Sequence, residues 1–108
     1  MIDWDRVADL RSEVGEDGFA EVIDLFLEET DEVVARLQQM HAGQPLGRDL
    51  HFLKGSALNL GFRDLAQLCQ EGERNSSAGS AVDLPQLLWL YQQSKAAFQA
   101  GLARLSAA

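Results

Sequence analysis

Apolar residues recur along most of the chain at intervals of three and four positions, which is the spacing of one helical face. The clearest stripe begins at Phe19 and continues to Met40, about six helical turns later. We expect Asp17 to cap this helix at its start. Gly43 and Pro45 are expected to end it, because proline cannot continue a helix.

Two shorter helices flank this one in the sequence. The first is predicted over residues 2–14, and Gly15 is expected to end it. The other is predicted over residues 46–60, with Gly61 as its C-cap. Because the first is short, we expect it to pack against a longer helix.

The last third of the chain predicts two more helices. One begins near Arg63 and gives way to residues 75–80, whose Asn, Ser and Gly content is typical of a loop. The other opens at Asp83, with Pro85 in its first turn and Gln86 completing a capping box. Its expected buried face consists of Leu84, Leu87, Leu88, Tyr91, Lys95, Phe98, Leu102 and Leu105.

This order of elements predicts an all-α fold. The sequence shows neither the alternation typical of strands nor an internal repeat. Four amphipathic helices joined by short connections favour an antiparallel four-helix bundle, with the short N-terminal helix as a lid at one end. A chain of 108 residues has the size of one domain, so we expect residues 1–108 to share one core.

The charge of the chain restricts its partners. The formal net charge of −8 argues against nucleic acid or an anionic membrane as a partner, because both attract basic surfaces. Acidic residues are concentrated in residues 13–32, a stretch without Lys or Arg that is typical of a solvated helix face. The basic residues Arg48, Lys54 and Arg63 instead bracket His51.

The cysteine content and the absence of targeting patterns indicate the cellular compartment in which the protein is found. Cys69 is the only cysteine, so no disulfide can form within the chain and a reducing compartment is expected. The sequence has no signal-peptide pattern at its start and no apolar run of transmembrane length. We therefore expect a cytoplasmic protein, and a monomer.

The third predicted helix presents a histidine away from its apolar side. His51, Lys54, Gly55 and Leu58 fall on one face of the helical wheel. The apolar face is formed by Leu50, Leu53, Ala57 and Leu60. A phosphate-carrying histidine needs an accessible neutral nitrogen, a partner for the other nitrogen and positive charge nearby. His51 offers the nucleophile and Lys54 the charge, and Arg48 is a second candidate cation.

Four neighbours of His51 each leave two interpretations open. Glycine inside a helix lowers helix stability by about 1 kcal/mol relative to alanine, so Gly55 needs another reason to be there. It permits either the close approach of a partner or close helix packing, and its position beside His51 on the helical wheel favours the approach of a partner. Ser56 either bonds to the backbone and packs as a small residue, or contacts a partner. Phe52 either fills a groove of the bundle or joins a docking patch, and docking is favoured for Leu58.

Residues 51–62 resemble the phosphorylation motif of histidine-containing phosphotransfer (HPt) domains. That motif is essentially His-x-Leu-Lys-Gly-Ser/Gly-x-x-x-Leu-Gly, and the sequence matches it from His51 through Gly61. Residues 65–69, Leu-Ala-Gln-Leu-Cys, are similar to the family's continuation on the following helix. The resemblance covers about residues 4–105, and it implies a four-helix bundle with an added N-terminal helix.

The resemblance also implies a function in two-component signalling. His51 would accept a phosphoryl group from a receiver aspartyl phosphate, a histidine kinase or a hybrid kinase, and would donate it to a response-regulator receiver domain. Lys54 would support the phosphoryl group, and Gly55 would permit receiver docking. The magnesium ion and the acidic pocket would belong to the receiver, so no cofactor or metal is expected in this chain.

Two positions on the fourth helix carry further expectations from the resemblance. Glu73 stands where family members often hold Gln or Glu at the phosphorylation site. We hypothesise that its carboxylate accepts from Nδ1–H of His51, which would leave Nε2 as the nucleophile. The alternative is an ordinary solvated glutamate. Gly72 stands where a larger apolar residue is usual, so the fourth helix either ends early or packs more closely.

Competing functions have less support. No glycine-rich phosphate loop, metal-ligand cluster or Ser/Cys–His pair appears, and no ATP-binding domain fits beside the bundle, so an enzyme is not expected. His41 is expected to be solvated, and its spacing from His51 does not suit a helical metal site. The rival is an adaptor that binds a receiver or kinase without carrying phosphate, although His51 and Lys54 argue against it. The start at Met1 and the lack of a linker favour a free-standing protein over a domain excised from a kinase.

Overall fold

The computed structural model describes residues 1–39, 46–79 and 82–107, with side chains through residue 104. These ranges form five helices: α1 (Trp4–Val14), α2 (Glu16–Gln38), α3 (Gly47–Leu60), α4 (Arg63–Ser77) and α5 (Leu84–Ala107). Helix α2 packs on α3, α3 on α4, α4 on α5 and α5 back on α2, and α1 lies across α2 and α3. The prediction of an all-α bundle with a short N-terminal helix is confirmed.

The N-terminal segment is tied to the turn between α3 and α4. Helix α1 begins at Trp4, later than expected, because Asp3 accepts a hydrogen bond from the Arg6 backbone N–H at 3.3 Å and caps the helix. The Asp3 N–H donates to the Gly61 carbonyl at 2.7 Å, and Ile2 forms an isolated antiparallel bridge with Phe62. Ile2 is therefore buried outside the helix that was predicted to include it.

The expected cap of the long helix α2 is wrong. Helix α2 starts at Glu16, directly after Gly15, and no side chain caps it. Gly15 ends α1 as predicted, through its N–H bond to the Arg11 carbonyl at 2.9 Å. Because the chain reverses at this single residue, Asp17 lies inside the first turn of α2. A carboxylate there still favours the positive end of the helix dipole.

The turn from α3 to α4 carries a large part of the core. Gly61 caps α3 with a left-handed φ of 79°, as predicted, and the Phe62 N–H donates to the Ala57 carbonyl at 2.7 Å. Phe62 is fully buried, and its ring packs edge-on against Phe98 at 5.3 Å between centroids. The turn is thus anchored from inside by this ring and from outside by the N-terminal segment.

Helix α4 extends further than the composition indicated. Residues 75–77 belong to the helix, although they were predicted to lie in a loop. Gly72 is buried, and a Cβ there would lie 3.3 Å from Leu50 Cδ1 and 3.4 Å from Val82 Cγ1. Of the two alternatives for Gly72, the structure therefore supports closer packing of α4 and not an early end of that helix.

Helix α5 confirms the predicted cap and buried face. The Gln86 N–H donates to Asp83 Oδ1 at 3.1 Å. Leu87, Tyr91 and Phe98 are buried, and Lys95 Nζ donates to the Asp31 carboxylate on α2 at 2.9 Å. Tyr91 also donates to Asp31, and burial together with this carboxylate raises the pKa of Tyr91. Among the expectations above, those for Met40, His41, Gly43, Pro45, Ser80 and the Leu105 side chain fall outside the described residues.

None of the helices in the described ranges has the combination of length and apolarity that crossing a membrane requires.

Candidate functional site

Helix α3 turns one face to the core and the opposite face to solvent. Leu50, Leu53 and Leu60 are fully buried, as the helical wheel predicted. His51 follows directly after Leu50 and is therefore rotated away from the core. Its side chain is 74 % exposed, so its ring is accessible to another protein.

One carboxylate of α4 lies beside both charged groups of this face. Glu73 Oε1 is 3.5 Å from His51 Nδ1 and 3.3 Å from Lys54 Nζ. These separations are within ion-pair range, but neither contact has hydrogen-bond geometry, so Oε1 has no hydrogen-bond partner among the described residues. Small side-chain rotations would bring Oε1 into hydrogen-bond geometry with either group. Glu73, Lys54 and His51 form what we call the histidine cluster.

Cys69 lies beneath the histidine cluster and is chemically inert. It is completely buried, one helical turn before Glu73 on α4. Burial, and next the negative charge of Glu73, raise the pKa of the Cys69 thiol to about 12, while Lys54 acts in the opposite sense. A thiol that is protonated at neutral pH is a poor nucleophile and a poor metal ligand.

The surface next to His51 is open and partly apolar. A Cβ added to Gly55 would meet no atom within 4 Å. Packing within the bundle therefore does not require glycine here. Phe52 and Leu58 flank Gly55 and are 41 % and 57 % exposed. We call Phe52, Gly55 and Leu58 the docking patch, after the role that the sequence predicts for them.

Two other predicted site residues differ in accessibility. Arg48 is exposed on α3, one turn before His51. Ser56 is buried, with 7 % of its surface exposed, which favours packing over contact with a partner.

Near the start of α3, Asp49 accepts a hydrogen bond from Arg36 of α2 at 2.9 Å, and this carboxylate raises the pKa of Arg36. That ion pair links α2 to the turn that carries His51.

Comparison with known proteins identifies the fold. The family model described as Hpt domain matches residues 21–108, which include α2 to α5 and the whole histidine cluster. The chain belongs to the Hpt domain family. Neither the curated proteins nor the solved structures yielded a match to this Hpt domain.

Family membership gives this Hpt domain a general role. Hpt domains are phosphocarriers in two-component signalling that have no catalytic activity of their own and that interact with receiver domains and kinases. Within the described parts of the chain, no group of three or more His, Cys, Asp or Glu side chains could hold a metal ion.

Sequence patterns missed two residues at the edge of this site. Asn59 is exposed on the same side of α3, and the Arg6 side chain of α1 reaches it: Nη2 lies 3.5 Å from Asn59 Oδ1. Asn59 could have been found from its offset, since it follows Gly55 by one turn. Arg6 could not, because no local pattern reveals a contact between residues so distant in sequence.

Proposed function

We propose that this Hpt domain relays phosphate through His51. The observation that supports the proposal best is that the histidine of the family motif is highly exposed and lies beside Glu73 and Lys54. The donor is a receiver aspartyl phosphate or a histidine kinase, and the acceptor is a response-regulator receiver domain. An adaptor would need neither an exposed imidazole nor a cation next to it.

The transfer step is a nucleophilic displacement at phosphorus. The lone pair of His51 Nε2 forms the N–P bond, the P–O bond to the donor carboxylate breaks, and its electron pair stays on that carboxylate. Transfer onward reverses these roles at the acceptor's aspartate. The metal ion and the acidic pocket that assist the reaction are contributed by the receiver.

Glu73 and Lys54 adapt the imidazole to this step. Glu73 faces Nδ1, which favours a proton on that nitrogen and leaves Nε2 free as the nucleophile. The same carboxylate stabilises the positive charge that the ring develops as the N–P bond forms. Lys54 is 24 % exposed, so its ammonium group is accessible to a phosphoryl oxygen. Arg48 adds a second positive charge on the same side of α3.

The docking patch brings the donor to the imidazole. Without a Cβ at Gly55, the backbone of a partner can approach α3 one turn beyond His51. Phe52 and Leu58 provide apolar contacts on either side of that approach. Arg48, Lys54 and Arg63 face the acidic pocket of the receiver, which increases the rate of productive encounters.

The proposal is tested by loading the protein from a purified receiver that carries radiolabelled aspartyl phosphate. We expect the label to appear on the Hpt domain and to be labile to acid and stable to base. His51→Gln should abolish labelling. His41→Gln is the matched control, because His41 is the other histidine of the chain, and it should be labelled like the wild type. Label that persists in His51→Gln would overturn the assignment.

A further inference from the structure

Helix α1 lies outside the matched family region and yet borders the histidine site. The family model begins at residue 21, after the end of α1. Helix α1 packs against α3, and the Arg6 guanidinium contacts Asn59 there at 3.5 Å. Arg6 Nη1 also lies 3.1 Å from Glu13 Oε1, an ion pair within α1 that holds the guanidinium in place. This contact places a basic side chain of α1 beside the exposed face of α3.

The geometry of α3 places Arg6 on the flank opposite Glu73. Lys54, which contacts Glu73, lies about 60° to one side of His51 on an ideal wheel, and Asn59 lies about 80° to the other side. The exposed face of α3 is therefore bordered by α4 on one flank and by α1 on the other. Gly55 and the His51 ring lie between the two borders.

A protein that docks over His51 is large enough to reach this second border. A standard interface buries about 800 Å² on each partner, which corresponds to a disc with a radius of about 16 Å. Asn59 lies eight residues after His51, or about 12 Å along the helix axis. With the offset of about 80° around the helix, Asn59 lies about 14 Å from His51, so a receiver centred on His51 reaches Asn59 and the guanidinium lies at the edge of its footprint.

We propose that Arg6 is a specificity-determining contact for the receiver, and that it pairs with an acidic side chain on the rim of the receiver's docking surface. This inference rests on the proposed function of His51. Arg6 is 27 % exposed and is held by Glu13, so little side-chain freedom is lost when it binds. A basic group at this border favours receivers with an acidic rim and disfavours those with a basic one.

The test separates the docking role of Arg6 from the chemistry of His51. Phosphoramidate, a small phosphoryl donor that needs no docking surface, loads His51 first. A purified receiver that discharges the wild-type phosphoprotein is then titrated against each variant. We expect Arg6→Ala to raise the half-saturating receiver concentration about twofold to fivefold, and Arg6→Glu about tenfold. Loading by phosphoramidate and the maximal discharge rate should not change, and the effect of Arg6→Ala should shrink in high salt.

A charge exchange distinguishes docking from a structural role of the Arg6–Glu13 pair. The double variant Arg6→Glu/Glu13→Arg restores the ion pair within α1 but leaves a negative charge beside Asn59. We expect it to dock as poorly as Arg6→Glu. Recovery of the wild-type half-saturating concentration would show that the pair acts only on the fold. A wild-type half-saturating concentration in Arg6→Glu would also overturn the inference about Arg6, without affecting the proposed function of His51. If phosphoramidate leaves no phosphate on His51, the proposed function itself fails.

Discussion

At the scale of single residues, Gly55 and Glu73 are two features of the site that are unfavourable for stability. Glycine at position 55 lowers helix stability, and the buried Oε1 of Glu73 has no hydrogen-bond partner among the described residues. Gly55 lies one turn after His51, and Glu73 lies directly beside the His51 ring.

Gly55→Ala should therefore stabilise the protein and impair transfer. The added methyl group meets open space, so helix propensity gains about 1 kcal/mol in the free energy of unfolding. In the complex the same methyl group overfills the docking patch at a cost of about 1–3 kcal/mol, which corresponds to a roughly fivefold to hundredfold slower transfer at low receiver concentration. Urea unfolding and receiver titration measure the two effects.

Gly18→Ala provides the matched control for this variant. A Cβ at Gly18 also meets no atom within 4 Å, but this residue lies on α2, away from His51. It should change stability without changing transfer. Unchanged transfer in Gly55→Ala would show that the open space at Gly55 does not serve docking.

The role of Glu73 can be read from the rate of phosphorylation. Glu73 lies 3.5 Å from His51 Nδ1 and favours a proton on that nitrogen, which leaves Nε2 free as the nucleophile. Glu73→Ala should therefore lower the rate of His51 labelling by phosphoramidate about tenfold. A rate identical to that of the wild type would show that Glu73 is an ordinary solvated glutamate at this site.

At the scale of elements, the turn between α3 and α4 holds the phosphoacceptor helix in place. Gly61 adopts a left-handed φ of 79°, and a Cβ there would lie 2.6 Å from the Asp3 carbonyl oxygen. The N-terminal segment therefore contacts the end of α3 so closely that a side chain at residue 61 would push it away.

Gly61→Ala and Gly79→Ala separate backbone strain from this close contact. Gly79 has a similar φ of 77°, but a Cβ there meets open space. Strain alone should cost Gly79→Ala about 1–2 kcal/mol in the free energy of unfolding by urea. Gly61→Ala bears the same strain and also displaces Asp3, so we expect a loss larger by at least about 1 kcal/mol. Equal losses would show that the N-terminal segment adds nothing to the turn.

The elements also show what the sequence could and could not predict. The core stripes, the Gly61 cap and the Asp83 cap follow from local spacing and side-chain chemistry, and the structure confirms them. Asp17 was mispredicted because α2 begins directly after the one-residue connection at Gly15, and residues 75–77 were mispredicted because composition alone does not fix where a helix ends. At the site, the exposed face of α3 was predictable from its periodicity. The contact of Arg6 with Asn59 was not, because it depends on how two distant helices pack.

At the scale of the whole molecule, charge and burial divide the bundle into two regions. Along the sequence, acidic residues are concentrated in residues 13–32, whereas Arg48, Lys54 and Arg63 bracket His51, so charge is unevenly distributed despite the net negative charge. The interior contains two ionisable groups, the Tyr91 hydroxyl and the Cys69 thiol, and both residues are fully buried. Their ionisation is coupled to unfolding of the entire bundle.

The stability of the protein should consequently fall at alkaline pH. Burial raises the pKa of Cys69 from 9.0 to about 12, and that of Tyr91 from its ordinary value of 10.0. The folded state therefore binds these protons more tightly than the unfolded chain, and stability is lost as the pH rises above about 9. Each group contributes a slope of up to about 1.4 kcal/mol per pH unit. Tyr91→Phe should show a shallower decline above pH 10 in urea unfolding, and an unchanged slope would contradict this account.

The central claim is that the protein carries phosphate rather than only binding its partners, and return transfer tests it most directly. The wild-type protein is loaded on His51, separated from its donor, and mixed with an unphosphorylated receiver. We predict that the label leaves the Hpt domain and appears on the receiver far faster than it is lost to water when no receiver is present. Label that stays on the Hpt domain until it hydrolyses, although the receiver binds, would contradict the claim, because the phosphate would then not be relayed.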